Sequence, residues 1–162
     1  MDYEFNGRSQ HTVDAKGRVF IPQYYRDILG ENFAISLSED MKTLSFYPAE
    51  VWEGISRKLR SIPSTDRRAH QYTRRVFGST FTNYNADNQG RVLIPQAIRE
   101  KYGLGEGKDV YLVGVGTNLE IWNSERFTEV DGSITEEETD EMLDYIDSKY
   151  FNAAPAGAES EE

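Results

Sequence analysis

Two short stretches of the chain pair an acid with a base at the same spacing. The first is Asp14-Ala15-Lys16-Gly17-Arg18-Val19-Phe20-Ile21-Pro22-Gln23-Tyr24-Tyr25-Arg26. The second is Asp87-Asn88-Gln89-Gly90-Arg91-Val92-Leu93-Ile94-Pro95-Gln96-Ala97-Ile98-Arg99. At an offset of 73 they agree at eight of thirteen positions. Arginine presents a planar fork of donors that suits phosphate oxygens and the paired acceptors of guanine. Gly17 and Gly90 permit a turn with positive φ that sets the arginine at an exposed edge. Phosphate repels a carboxylate, so Asp14 and Asp87 are read as loop organisers. They either accept backbone N–H groups or orient the arginine. A purely structural Asp–Arg pair that holds two strand ends fits the pattern equally well. Repetition does not decide between the readings, because a structural pair would repeat too.

Other chemistry is thinly supported. Cysteine is absent, which excludes disulfides, thiolate zinc sites and cysteine nucleophiles and is compatible with the cytoplasm. His11 and His70 are not at ligand spacing. No phosphate-binding glycine loop, nucleophile elbow or zinc pattern occurs. Gly103-Leu104-Gly105-Glu106-Gly107 sits in a helix-to-strand turn, the wrong context for a dinucleotide. Glu136, Glu137 and Glu138 read as a solvated acidic face rather than a cation site. No enzyme activity, metal or cofactor is expected. No apolar run approaches the roughly 20 residues of a membrane span, and the first residues lack the order of a secretory signal.

The net charge of −10 looks unfavourable for nucleic acid, but its distribution matters more. Residues 1–130 carry 17 Lys/Arg and 17 Asp/Glu, whereas residues 131–162 carry one Lys and 11 Asp/Glu. The acidity belongs to the tail, and a few basic residues converging on one face of the neutral body suffice for DNA. The tail acids are then expected to compete with DNA for that face.

The elements that must position the two stretches follow the same order twice. Thr12-Val13 could start a strand that runs to Asp14. Val19–Ile21 ends at Pro22, which cannot donate to a ladder and which suits a helix start. Gln23–Leu29 reads as a helix stopped by Gly30. Phe33–Leu37 and Thr43–Tyr47 make a hairpin, and Pro48 opens a helix with Val51, Trp52, Ile55 and Leu59 on one face. In the second copy Val92–Ile94 ends at Pro95, a helix runs from Gln96 to about Tyr102, and Val110–Val113 pairs with Leu119–Trp122. The offset grows to 75 by the second hairpin, which implies a two-residue loop insertion. Between the copies, Thr65 to Phe77 reads as a helix rich in Arg67, Arg68, Arg74 and Arg75. Thr135-Glu136-Glu137-Glu138 has the form of a capping box and opens an acidic helix. Residues 152–162 have the composition of a disordered tail. Tyr24, Tyr25, Trp52 and Trp122 are read as core or subunit contacts, and Arg26 and Arg99 as salt-bridged or solvated.

These motifs, in this order, resemble the MraZ family of bacterial transcriptional regulators, whose hallmark is Asp-x-x-x-Arg in each of two tandem modules. The resemblance rests on Asp14–Arg18 with the Ile-Pro that follows, Tyr47-Pro48, Trp52, the Arg-rich linker, Asp87–Arg91, and Glu120-Ile121-Trp122. It covers about residues 5–130. It implies an α+β, mainly β fold: two tandem AbrB-like, SpoVT-like swapped-hairpin modules forming a pseudo-dimeric β-barrel with flanking helices. The modules span 8–51 and 81–124, with a helical linker at 52–80 and an acidic C-terminal helix and tail at 131–162. It further implies a cytoplasmic, nucleoid-associated homo-oligomer, ring-shaped, that binds double-stranded DNA. The implied targets are G-rich direct repeats upstream of its own division and cell-wall gene cluster, usually for repression. The DNA-binding candidates are Lys16, Arg18, Arg91 and Gln89, with Asp14, Gly17, Asp87 and Gly90 shaping the loops. Gln89 stands where the first copy has Lys16, so the second module has one less phosphate-seeking charge. The alternative is a ring-forming scaffold or an antitoxin-like protein whose acidic tail binds a protein partner.

Overall fold

In the computed structural model, which describes residues 2–152, the two copies are built into each other. The first contributes β1 (Arg8–Thr12), β2 (Arg18–Phe20), α1 (Gln23–Leu29), β3 (Phe33–Leu37) and β4 (Leu44–Tyr47). Helices α2 (Ala49–Arg60) and α3 (Arg67–Gly78) follow. The second copy contributes β5 (Phe81–Tyr84), β6 (Arg91–Leu93), α4 (Gln96–Arg99), β7 (Asp109–Gly114) and β8 (Leu119–Asn123). The chain then runs through α5 (Ser124–Gly132) and α6 (Glu136–Ile146). It divides between Arg126 and Phe127 into two units. The tail expected to be disordered lies, from residue 153 onward, outside the described residues.

Among the described residues, only the hairpins β3–β4 and β7–β8 pair within one copy. Strand β1 pairs with β7, β5 with β3, β2 with β6, and β4 with β8, all antiparallel and all between copies. The result is a six-stranded sheet of order β1-β7-β8-β4-β3-β5 and a separate ribbon of β2 and β6. In the ribbon Val19 faces Val92, its own repeat equivalent. In the sheet Ser45 faces Glu120, its equivalent at the offset of 75. Both pairs lie where an internal twofold would pass, and the second pair places the two-residue insertion before β8.

The fold is α+β with antiparallel sheets, but the expected barrel does not close. Strands β1 and β5 remain edges of the sheet. Strands β2 and β6 are three residues long, end before Pro22 and Pro95, and pair with each other instead. A register shift between Phe33 and Ile35 further interrupts the β5 edge, opposite the left-handed Asn83 (φ 58°). Strand β1 also differs from expectation, because it begins at Arg8 rather than Thr12 and ends at Thr12 rather than running to Asp14. Val13 leaves the ladder to exchange main-chain bonds with the 107–108 turn, its N–H reaching the Lys108 carbonyl at 3.0 Å.

One core joins ribbon and sheet: Val19, Ile21, Val92 and Ile94 pack with Ile35, Phe46, Leu112 and Leu119. On the other face of the first hairpin, Trp52 of α2 and Val76 of α3 pack on Ala34 and Tyr47. Strands β3 and β4 are therefore buried on both faces, and all their residues are buried, Ser36 and Ser45 included. The helix signals act as expected. Pro22 and Pro48 precede α1 and α2, and Gly30 takes φ 67° and donates to the Arg26 carbonyl at 3.0 Å. Asp66 caps α3 by accepting from Ala69 N–H, and Thr135 caps α6 by accepting from Glu138 N–H. The helix read from Gln96 to Tyr102 tightens after Arg99 into a 3-10 turn that Gly103 ends in the left-handed region. No helix among the described residues is long and apolar enough to cross a membrane.

Phe46 is fully buried and meets Phe33 edge to face, ring centroids 6.0 Å apart. Phe46→Ala is expected to cost about 3–5 kcal/mol of unfolding free energy, read from urea denaturation.

Candidate nucleic-acid interface

Each Asp-x-x-x-Arg stretch closes into the same tight loop. Asp14 N–H donates to the Arg18 carbonyl at 2.9 Å, and Gly17 N–H to the Asp14 carbonyl at 3.0 Å. Asp87 N–H donates to the Arg91 carbonyl at 2.8 Å, and Gly90 N–H to the Asp87 carbonyl at 2.9 Å. Gly17 has φ 85° and Gly90 φ 77°, a region where any Cβ is strained. The carboxylates divide their work identically. Asp14 Oδ1 accepts from the N–H groups of Lys16 (2.9 Å) and Arg18 (2.8 Å), while Oδ2 accepts from Arg18 Nε (2.8 Å). Asp87 Oδ1 accepts from Gln89 and Arg91 N–H, each at 2.9 Å, and Oδ2 from Arg91 Nε at 3.0 Å. Loop anchoring and arginine orientation, weighed as alternatives from the sequence, are both present in the contacts of one side chain.

The arginines turn back onto these carboxylates rather than standing free, yet the Arg18 side chain stays 24 % exposed and that of Arg91 30 %. Lys16 and Gln89 are exposed at the loop tips. The carboxyl groups are held below the ordinary aspartate value. For Asp14, burial is the largest influence and pushes upward, but bonds from Arg18 and Lys16 together with the Arg18 charge outweigh it. For Asp87 the bond from Arg91 N–H is largest and lowers the value, burial opposes it, and the bonds from Gln89 and the Arg91 side chain add to the lowering.

The two loops sit side by side. Ile21 N–H donates to the Gly90 carbonyl at 2.8 Å, and Ile94 N–H donates to the Gly17 carbonyl at 3.0 Å. Between them, the ribbon turns Val19 and Val92 into the core and leaves Arg18, Phe20, Arg91 and Leu93 on its outer side. Arg18 lies opposite Leu93, and Phe20 opposite Arg91. Phe20 is 43 % exposed and Leu93 47 %, so the outer side is a small patch of alternating charge and apolar surface. His11 stacks beside Phe20 at 5.9 Å, and its burial lowers its pKa, which favours the neutral ring.

Two residues at this face were read otherwise from the sequence. Arg26 and Arg99 form no ion pair among the described residues. Each lies against the loop glycine of the other copy: a Cβ on Gly90 would sit 2.8 Å from Arg26 Cζ, and one on Gly17 would overlap the Arg99 guanidinium. Their recurrence at the offset of 73 was the available signal. Tyr25, Trp52 and Trp122 are buried as expected, whereas Tyr24 is exposed. Arg67, Arg68, Arg74 and Arg75 are all exposed on α3. Among the described residues, no group of three or more His, Cys, Asp or Glu side chains is placed to hold a metal ion.

A family model described as "MraZ protein, putative antitoxin-like" matches residues 5–75 and 77–144, once for each copy. The chain belongs to the MraZ family. A MraZ relative from Acetivibrio thermocellus, named transcriptional regulator MraZ, is 42% identical over 128 residues, 79% of this chain and 87% of the relative. One of the same name from Carboxydothermus hydrogenoformans is 37% identical over 145 residues, 88% of this chain and 99% of the relative. A third, from a Thermoanaerobacter species, is 38% identical over 141 residues, 87% of this chain and 95% of the relative.

Two predictions follow from the loop geometry. Gly17→Ala forces a side chain into the left-handed region and against Arg99, and is expected to cost at least about 1–2 kcal/mol in thermal or urea unfolding. Because the folded state lowers both aspartate pKa values, the stability they confer is complete above the unfolded value of about 4. It is lost as pH falls through the lower folded values. Asp14→Asn with Asp87→Asn should therefore flatten the decline of stability below pH 4, measured by denaturation across an acid series.

Proposed function

We propose that the chain is a transcriptional regulator that binds double-stranded DNA in a sequence-specific manner, without a cofactor and without enzymatic activity. The observation that carries this reading is the juxtaposition of the two loops on one ribbon. A two-stranded ribbon is narrow enough to enter the major groove. Its outer side presents Arg18 and Arg91, held in plane by Asp14 and Asp87, with Phe20 and Leu93 between them. Guanidinium groups address guanine N7 and O6, and the apolar pair suits thymine methyl groups. Lys16 reaches for phosphate from the first loop. Gln89 offers the second loop a donor and an acceptor for a base edge. The names of the relatives support the regulatory role.

We read the two copies as AbrB-like swapped-hairpin modules related as a pseudo-dimer, the cross-copy pairing of β1 with β7 and β5 with β3 being what supports that description. The proposed targets are G-rich direct repeats upstream of the protein's own division and cell-wall gene cluster, with repression as the outcome. The proposed form is a ring-shaped homo-oligomer in the cytoplasm, associated with the nucleoid. Each loop pair binds weakly, and adjacent repeats supply avidity across the assembly. A protein partner for the C-terminal region is the second reading. It is favoured by the exposed apolar residues Met142, Tyr145 and Ile146 on the otherwise acidic α6.

Gel shifts on G-rich direct repeats against scrambled DNA test the proposal. Arg18→Ala and Arg91→Ala are each expected to weaken specific binding about tenfold or more, and affinity should fall steeply with salt. A double variant that binds like the wild type would overturn the assignment. Removal of residues 131–162 should tighten binding to scrambled DNA.

A further inference from the structure

Arg26 and Arg99 occupy the same place in the two copies, and neither serves the loop of its own copy. Arg26 Nε donates to the Ile21 carbonyl at 2.8 Å, and Ile21 N–H donates in turn to the Gly90 carbonyl at 2.8 Å. Arg99 Nε donates to the Ile94 carbonyl at 3.2 Å, and Ile94 N–H to the Gly17 carbonyl at 3.0 Å. One residue thus ties each guanidinium to the opposite loop, and the guanidinium lies directly against that loop's glycine. Both arginines are only partly buried. Among the described residues, their Nη groups donate no hydrogen bond and meet no carboxylate at ion-pair distance. Arg26 also sits over the exposed Phe20 ring, 5.8 Å from its centroid, which places it on the outer side of the ribbon.

Charge gives these two residues their weight. Arg18 is neutralised by Asp14, and Arg91 by Asp87. Among the described residues, Lys16 and Arg99 are uncompensated cations at the first loop; Glu100, Glu106 and a further cation, Lys108, line the same hollow as Arg99, and neither carboxylate pairs with it. At the second loop, where Gln89 replaces Lys16, the uncompensated cation is Arg26.

We propose that Arg26 and Arg99 are DNA-phosphate contacts exchanged between the copies, with Arg99 completing the first loop and Arg26 completing the second. Nε is spent on holding the group in place, and Nη1 and Nη2 are the donors offered to a phosphate oxygen. The proposal rests on the DNA-binding reading above. It makes the second loop depend on a residue 61 to 65 positions earlier in the chain, outside its own motif.

The experiment measures affinity against salt for the full chain on its G-rich repeat, with scrambled DNA in parallel. Each phosphate contact contributes about 0.9 to the slope of log K against log salt. Arg26→Gln and Arg99→Gln should each lower that slope by about one per engaged chain and weaken both DNAs alike. Arg26→Lys and Arg99→Lys, which keep the charge, should restore most of the slope. Double-variant cycles read the exchange: Arg99→Gln should couple to Arg18→Ala, and Arg26→Gln to Arg91→Ala. Phenylglyoxal modification of the wild type, free and DNA-bound, should show Arg26 and Arg99 protected in the complex, a readout that needs no variant to fold. Four results overturn the proposal: wild-type slope in the glutamine variants, lysine variants that behave like glutamine, coupling within rather than between copies, or no protection. If Arg18→Ala and Arg91→Ala nevertheless lose specific binding, the DNA-binding reading stands and this inference alone fails. A wild-type protein that binds no DNA removes both.

Discussion

Ile21 and Ile94 each give their N–H to the glycine carbonyl of the other copy's loop, and the architecture depends on that exchange. A backbone group buried without a partner costs on the order of a lost hydrogen bond. Neither copy satisfies its own strands: β1, β2, β4 and β5 all find their ladders, wholly or in part, across the repeat. The loops are therefore set by tertiary pairing rather than by local turn chemistry alone. Glycine makes each turn possible, aspartate closes it, and the opposite copy fixes where it points.

The same exchange fits the proposed double role of the Asp–Arg pair, structural in the contacts seen and recognitional in the function proposed. An arginine in solution samples many rotamers, and ordering it on binding is costly. Asp14 Oδ2 fixes the plane of the Arg18 guanidinium before any ligand arrives, and Asp87 does so for Arg91. Preorganisation of this kind lowers the cost of association rather than adding contacts. The net charge of each Asp–Arg pair is correspondingly small, which is why the proposed DNA contact relies on cations elsewhere on the face.

Much of this was legible in the sequence, for identifiable reasons. Gly30, Pro22, Pro48 and Gly103 act locally, and local signals read well from residue types. The apolar residues of Phe33–Leu37, broken only by Ser36, marked a strand, although its cover by α2 and α3 was not legible. The rest depends on contacts that no window of sequence contains. Arg8–Thr12 is polar at every position, and its strand character comes from β7 as a partner. The open sheet depends on β2 and β6 choosing each other, which their three-residue length does not reveal. Arg26 and Arg99 read as salt-bridged or solvated helix residues because their contacts lie across the repeat. Asp14 looked like a choice between two roles because a carboxylate has two oxygens, and sequence does not say where each points.

Thr12 pairs with Asp109, and their side chains bond across 97 positions of chain. During synthesis at about 5–20 residues per second, β1 waits on the order of 5–20 s for the strand that completes it. Over that interval the first copy is an open-edged half of a pseudo-symmetrical object whose partner strands have not yet been made. Neighbouring chains on one message could trade halves. The register shift beside Asn83 and the two-residue insertion before β8 make the second copy an imperfect duplicate of the first. The two halves of one chain therefore differ slightly in shape, whereas two first copies would be identical.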